Sequence, residues 1–331
     1  MEENNDYEDS IALACIATTS IFGLISNGLA LYMTRKMSRF RNAFGILCSS
    51  FLICNMQAIF VLFVWSVIVL TLQVSFFFLN NNRKLHLKSP LLSSPELKSP
   101  LLSSPELFLV RLIGVFVNGG WFGALFVHFF IALNRLCAVA YPIKYKKLWS
   151  EAKALVTGII SWTLGMTVCM IHLYKDCSLL FDTETYDFNY QDSFYGNICN
   201  FGDSGLAIIA IIAMISLDTV TLTKILAHRR TMSGRSATSS SVRNEREILF
   251  FKQSCILGLV FFICFAILAG HQYILTDKWL VFAASTITWI MMQSLDGLIF
   301  LIFNLKMLWK TICVVSAAPT TRDRRLIATK F

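Results

Sequence analysis

A single arginine at the end of a long apolar run is the most informative charged residue in the chain. Apolar residues lead into Asn134 and Arg135, and Pro142 then breaks the run ahead of Tyr145 and several lysines. An arginine at bilayer depth costs about 2.5–3.5 kcal/mol, so it is tolerated near a membrane interface or facing other helices. The pattern predicts a membrane helix that presents Arg135 at one membrane face. An arginine that only extends to the lipid headgroups would give the same pattern.

An acid in another apolar run is a candidate partner for this arginine. Asp218 lies deep in a hydrophobic stretch, and threonines at positions 219, 221 and 223 make its surroundings polar. A carboxylate in such a place is costly unless it is paired or protonated. We predict that Asp218 pairs with Arg135 or with Lys252, in preference to contacting a ligand.

The sequence offers little support for other kinds of chemistry. It contains no nucleophile–base pair, no phosphate-binding loop and no Cys/His spacing typical of a metal site, so we expect neither an enzyme nor a cofactor or metal. The net charge of +9 lies in short loops between apolar runs, not on one basic face, which argues against nucleic-acid binding.

The composition places the chain in a bilayer. Of its 331 residues, 56% are hydrophobic and 15% charged, whereas soluble domains are about 45–50% apolar and about 25% charged. Seven apolar runs are long enough to cross roughly 30 Å of hydrocarbon. The predicted spans are Ile11–Met33, Ala43–Leu70, Phe108–Tyr141, Ala154–Leu173, Gly205–Leu226, Ile248–Leu275 and Trp279–Leu301.

The distribution of charge predicts the topology. Residues 1–10 are acidic, the segment after the first span is basic, and most of the 29 lysines and arginines fall on the same predicted side. The positive-inside rule therefore places the N-terminus outside, without the basic leader of a cleaved signal peptide, and seven spans place the C-terminus inside. The predicted fold class is an all-α membrane protein, with an extracellular segment 1–10 and a seven-transmembrane helix bundle over 11–303.

The remaining segments are less regular. Over 74–106 the chain has a phenylalanine run and a tandem decapeptide repeat, LKSPLLSSPE, which holds most of its six prolines. Prolines break helices, so we predict an atypical outer loop; a ligand-facing lid and a gene-model insertion are the alternatives. Residues 304–331 are predicted as a short amphipathic helix over Asn304–Ile312, with Cys313 palmitoylated or simply buried, and a cytoplasmic tail.

The sequence around Arg135 resembles that of a known family. Asn134-Arg135-Leu136, with Pro142 and Tyr145 after it, resembles the Asp-Arg-Tyr segment of rhodopsin-like receptors, and residues 132–138, ALNRLCA, are similar to the nematode serpentine receptors of class x. The resemblance implies that Arg135 meets a heterotrimeric G protein and is held at rest by acids. Glu247, at the start of the sixth span, is the family-like candidate for such an acid, although a solvated glutamate is equally compatible.

The resemblance also groups three polar residues. Ser26-Asn27-Gly28 resembles the Gly-Asn pair of the family's first helix, Asn55 stands where the family has an aspartate, and Asp296-Gly297 replaces an Asn-Pro pair. Polar groups in a membrane need partners inside the bundle. We predict an interhelical polar cluster of Asn27, Asn55 and Asp296; a sodium site there is the alternative.

Two cysteines flank an acidic outer loop. Rhodopsin-like receptors tie this loop to a cysteine at the outer end of the third helix, but the corresponding position near Val110 has none. In an oxidising compartment we therefore predict a disulfide within the loop, between Cys177 and Cys199.

Taken together, the resemblance implies a chemosensory G-protein-coupled receptor at the plasma membrane, in a sensory cilium, with a small-molecule or peptide ligand. Asn118, Trp121 and His271 are the candidate ligand contacts. The alternatives are a transporter or channel, which should have repeated span groups that are not evident here, and a receptor-like partner that does not signal.

Overall fold

The computed structural model describes residues 2–86, 100–232 and 241–316, and over these ranges the chain is almost entirely helical. Long apolar runs without internal proline favour helices, because a helix satisfies all of its backbone hydrogen bonds internally. The helices are α1 (Glu2–Lys36), α2 (Ala43–His86), α3 (Phe108–Ala140), α4 (Tyr145–Leu148), α5 (Glu151–Cys169), α6 (Phe194–Met232), α7 (Ser241–Ile274), α8 (Lys278–Phe282) and α9 (Thr288–Ser316). Two short strands, β1 (Leu179–Asp182) and β2 (Asp187–Tyr190), form an antiparallel hairpin.

The seven predicted spans all fall on helices. Within the described ranges, six helical segments are long and apolar enough to cross a membrane, and α7 adds a shorter apolar stretch over Cys255–His271. The seventh span consists of α8, a π-helical turn at Ala283–Ile287 and α9. The predicted serpentine helix bundle is confirmed; the side of the membrane on which each end lies stays a prediction.

Some local predictions differ from the structure. α2 continues to His86, so residues 74–86 of the predicted outer loop are helical, because the first proline comes only at Pro90. The repeat lies mostly in 87–99, outside the described residues. α9 runs unbroken to Ser316, so the predicted Asn304–Ile312 helix is a direct continuation of the last span. The hairpin is an addition to the predicted all-α fold.

The core is divided along the bundle. One cluster of buried side chains joins the hairpin to α1, α2, α3 and α9; Phe181 and Tyr186 belong to it. Another lies among α1, α2, α3, α5 and α9, near Ile131 and Phe300. We call the first region the hairpin end and the second, which is nearer Arg135, the arginine end.

A glycine sets the spacing of α1 and α9. A Cβ atom on Gly297 would lie 2.7 Å from the backbone nitrogen of Asn27, so no larger residue fits without movement of the helices. This close approach brings the polar residues of the two helices together.

Candidate functional site

At the arginine end, Arg135 on α3 lies beside Asp218 on α6. Arg135 Nη2 is 3.5 Å from Asp218 Oδ1, and the two side chains are 9% and 16% exposed. The Arg135 Nε donates to the carbonyl oxygen of Ile131 one turn earlier on α3. The guanidinium is therefore turned into the bundle toward an acid on another helix, rather than extended to the headgroups. Of the two partners predicted for Asp218, the structure brings Arg135 close.

The residue before the arginine is held by the connection that follows α3. Tyr145, the first residue of α4, donates its hydroxyl to Asn134 Oδ1 at 3.2 Å. Partial burial raises the pKa of the Tyr145 phenol, so it stays a neutral donor at physiological pH. Asn134 has no charge with which to hold Arg135, and it fixes the α3–α4 turn instead.

A small cavity opens beside the guanidinium. Its lining includes Arg135 and His128 of α3, Gln253 of α7 and Asp296 of α9. It is large enough to hold a water molecule. His128 Nδ1, Gln253 Oε1 and both Arg135 Nη atoms are buried and have no hydrogen-bond partner among the described residues. Polar atoms from three helices thus converge on one space.

The predicted interhelical polar cluster is brought together in part. Asn55 Nδ2 on α2 donates to Asp296 Oδ2 on α9 at 2.9 Å. Asn27 Nδ2 donates to the carbonyl oxygens of Gly23 and Gln293 at 2.8 and 3.0 Å. Asn27 therefore binds the α9 backbone rather than the Asp296 carboxylate, while all three residues remain buried.

At the hairpin end, Cys177 and Cys199 form a disulfide that joins the segment before β1 to α6. Beneath it lies a polar cluster around Asp203 of α6. Asn118 Nδ2 and the Tyr190 hydroxyl both donate to Asp203 Oδ2, each at 2.6 Å. His172 Nε2 lies 3.1 Å from the same oxygen.

The other two candidate ligand contacts, Trp121 and His271, have surroundings that differ from the Asp203 cluster. Trp121 is 7% exposed and packs its ring against the aromatic rings of Phe122 and Trp289. His271 is only partly buried, and its Nδ1 is 2.8 Å from the carbonyl oxygen of Leu268. The roles of Asn118, Trp121 and His271 in ligand binding remain predictions.

For three residues with predicted roles, the structure describes the helix but not the side chain. Glu247 and Lys252 lie on α7 and Cys313 lies on α9, but their side chains are outside the described part of the chain. Among the described residues, no group of three or more His, Cys, Asp or Glu side chains is placed to hold a metal ion.

The sequence matches a known protein family over most of its length. The family described as "Serpentine type 7TM GPCR chemoreceptor Srx" matches residues 18–89 and 95–304. The chain belongs to this family. It is 25% identical to "Serpentine receptor class X 45" of Caenorhabditis elegans over 323 residues, which cover 89% of this chain and 79% of the relative. It is 23% identical to "Serpentine receptor class X-43" of the same organism over 184 residues, covering 53% of this chain and 55% of the relative.

Membership of the Srx family confirms the resemblance inferred from the Arg135 segment. It makes the chain a multi-pass membrane protein of a chemoreceptor family, which is a receptor family and not an enzyme family. The matched residues contain the Arg135 region, the Asn55–Asp296 pair and the disulfide.

Sequence reasoning missed several residues of this Srx chain. His172, Tyr190 and Asp203 carry the polar cluster at the hairpin end, and Tyr186 is a fully buried aromatic at the tip of the hairpin. Tyr186 and Tyr190 fall in the predicted outer loop, whose residues are expected to be exposed, so nothing in their spacing signalled burial. The one available signal was the density of acids and tyrosines between the two cysteines.

Proposed function

We propose that this Srx chain is a chemosensory receptor of the plasma membrane, in the cilium of a sensory cell, that activates a heterotrimeric G protein. The contact between Arg135 and Asp218 is the single observation that carries the proposal. It supports a resting state in which the arginine is kept away from a cytosolic partner by an acid on another helix.

The proposal assigns the hairpin end to the outside of the cell. A disulfide is stable in an oxidising compartment, and Cys177–Cys199 lies at this end. The acidic N-terminal residues and the basic segment after α1 favour the same orientation. The arginine end then faces the cytosol, where the G protein is found.

Activation is a shift between two arrangements of the helices. In the resting arrangement Arg135 contacts Asp218, so α3 and α6 are coupled directly. A ligand stabilises the active arrangement only by as much as it binds that arrangement more tightly. Separation of α3 from α6 releases the guanidinium into a cytosolic cleft, where it contacts the G protein.

A path for this coupling passes through the middle of the bundle. The cavity beside Arg135 is also lined by Asp296, which is hydrogen-bonded to Asn55. A movement of α9 therefore alters the surroundings of Arg135 without direct contact between ligand and arginine. The same geometry disfavours the sodium alternative, because Arg135 contributes a positive charge to the cavity that Asp296 lines.

The candidate ligand region lies between the hairpin and Trp121. Asn118 and Trp121 are on the hairpin-end half of α3, and His271 is near the corresponding end of α7. We propose that a small molecule or peptide acts there, from the extracellular side.

Reconstituted receptor tests the coupling without a known ligand. Wild-type protein in lipid nanodiscs should accelerate nucleotide exchange on at least one class of purified heterotrimeric G protein above empty nanodiscs. Arg135→Ala should abolish this acceleration while its surface expression and thermal midpoint stay close to wild type. Unchanged exchange in Arg135→Ala would remove Arg135 from the mechanism, and no exchange with any G-protein class would favour a receptor-like partner that does not signal.

A further inference from the structure

Tyr186 at the tip of the β1–β2 hairpin has an unusual position. A side chain in a hairpin turn is normally exposed, yet Tyr186 is only 1% exposed and is among the largest fully buried side chains. Its φ of 56° is the only positive value among the described non-glycine residues. A bulky residue adopts this left-handed conformation only when its surroundings enforce it.

The surroundings of the Tyr186 side chain form a cage from two parts of the chain, α1 and α8. The hydroxyl donates to Asp9 Oδ1 of α1 at 2.5 Å and accepts from Lys278 Nζ of α8 at 3.2 Å. The Lys278 ammonium also lies 4.3 Å from the centre of the ring. Trp279 and Phe282 form aromatic walls, with ring centres 6.0 and 5.8 Å from that of Tyr186. We call Asp9, Lys278, Trp279 and Phe282 the phenol cage.

Residues of the phenol cage also have contacts that do not involve the tyrosine. Lys278 Nζ is held by Glu8 Oε2 at 2.9 Å, and its neighbour Asp277 caps α8 by accepting from the backbone nitrogens of Trp279 and Leu280. The cation and the aromatic walls are thus positioned by contacts of their own. A site held in this way can keep its shape when its occupant leaves.

The chemistry of the cage fits one class of molecule. A carboxylate accepts the hydroxyl proton, an ammonium donates to the hydroxyl oxygen and lies over the ring face, and two aromatic side chains contact the ring. Burial, together with the nearby carboxylates of Asp9 and Glu8, raises the pKa of Tyr186, so the occupant is a neutral phenol. An aliphatic alcohol lacks the ring face, and toluene lacks the hydroxyl.

We propose that the phenol cage is a ligand site for small phenols, which Tyr186 fills in this structure as a tethered stand-in. An external phenol competes with Tyr186 for the same contacts. Its entry releases the hairpin tip from α1 and α8, and the left-handed backbone of Tyr186 is then free to relax. The phenol cage shares no residue with the Asn118, Trp121 and His271 region proposed above, so it is a second ligand site. Binding there does not depend on G-protein coupling.

The test uses 4-methylphenol, which is the tyrosine side chain as a free molecule. The full-length chain in nanodiscs is titrated with the probe, and the apparent affinity is obtained from the concentration dependence of the thermal midpoint. Tyr186→Ala should bind 4-methylphenol at least about tenfold more tightly than wild type, because the tethered competitor is gone. In the same variant toluene should bind about fivefold more weakly than 4-methylphenol, because it forms neither hydroxyl contact.

Two controls make the result decisive. Tyr273→Phe removes the hydroxyl of an exposed tyrosine on α7 and should leave the affinity for 4-methylphenol at the wild-type value. If Tyr186→Ala does not fold, Tyr186→Phe keeps the ring, loses both hydroxyl contacts and should raise the affinity by about threefold. Equal binding of toluene and 4-methylphenol, or no gain in whichever Tyr186 variant folds, overturns the proposal. Because no G protein is present, this failure is separate from failure of the nucleotide-exchange test.

Discussion

At the scale of single residues, the acid that contacts Arg135 lies on another helix and not next to it in the sequence. Asn134 cannot restrain Arg135 as an adjacent acid would, and it is engaged by the Tyr145 hydroxyl. Among the described side chains, Asp218 of α6 lies within ion-pair distance of Arg135. An ion pair between helices is broken when the helices separate, whereas one within a helix is not. We therefore propose that the restraint of Arg135 depends on the α3–α6 distance and not on the residue at position 134.

Asp218→Asn tests this restraint. The amide keeps the size of the side chain but removes the charge, so the variant should raise ligand-independent nucleotide exchange by roughly three- to tenfold, since a partly buried pair is worth about 1 kcal/mol and 1.4 kcal/mol is a factor of ten. Ser216→Ala, which changes a hydroxyl bonded within α6, is the matched control and should leave exchange unchanged. Exchange in Asp218→Asn equal to wild type would show that the acid does not hold the resting state.

The buried carboxyl group of Asp187 in the hairpin should make the thermal stability of the protein depend on pH. The residue is 1% exposed, and burial raises its pKa above the usual value of 3.8. A raised pKa means that the folded state binds the proton more tightly than the unfolded state. The ionised carboxylate therefore lowers the free energy of unfolding at neutral pH, and this loss disappears as the pH falls through the folded pKa toward 3.8. Asp187→Asn should therefore unfold at a higher temperature than wild type at pH 7.

The difference between Asp187→Asn and wild type should shrink as the pH is lowered from 7 toward 4, when the wild-type carboxyl becomes neutral. Thermal unfolding of both proteins across this range measures it. Asp182→Asn is the comparison on the same hairpin. A difference that stays constant with pH would show that the charge of Asp187 does not change over this range and would contradict the prediction.

At the scale of secondary-structure elements, the hairpin depends on one covalent tie. Cys177–Cys199 closes a loop with a sequence separation of 22 residues, for which chain entropy gives about 3 kcal/mol of stabilisation. The double variant Cys177→Ser/Cys199→Ser should lose stability of this order and show reduced surface expression. Cys15→Ser removes an exposed free thiol and should change neither quantity. Unchanged thermal unfolding of the double variant would contradict a stabilising role.

The α1–α9 contact depends on a glycine. Gly297→Ala adds a methyl group 2.7 Å from the Asn27 backbone, and overpacking of this kind costs about 1–3 kcal/mol. We expect a lower thermal midpoint and weaker coupling through Asp296, the preceding residue. Gly258→Ala, on α7, meets no atom within 4 Å and is the matched control. Equal midpoints for the two variants would show that the helices adjust freely.

Elements that form through local interactions could be predicted from the sequence, whereas those that depend on distant parts of the chain could not. The spans were predictable because each apolar run forms a helix by its own hydrogen bonds. The cost of polar groups in a membrane predicted a partner for Asp218, either Arg135 or Lys252, and the family resemblance grouped Asn55 with Asp296. The hairpin was not predictable, since its turn, residues 183–186, lacks the usual Gly or Asn. The burial of Tyr186 depends on α1 and α8, which are distant in sequence.

At the scale of the whole molecule, every functional assignment requires that the two ends of the bundle face opposite compartments. Acidic residues dominate the first ten positions and the segment between the two cysteines, whereas basic residues follow α1 and α3 and occupy the tail. This asymmetry predicts an external N-terminus and an internal C-terminus. It also predicts that the disulfide and the phenol cage are reached from outside the cell.

Epitope tags at the two termini test this orientation. On intact cells an antibody should stain the N-terminal tag only, because seven spans separate the termini by the membrane; the C-terminal tag should require permeabilisation. A cytosolic protein stained in parallel controls for leakage. Staining of both tags on intact cells would mean an even number of spans. The first candidate for the missing span would be α7, whose apolar stretch is the shortest among the described parts of the spans. Staining of the C-terminal tag alone would place Arg135 outside the cell and remove the basis for coupling to a cytosolic G protein.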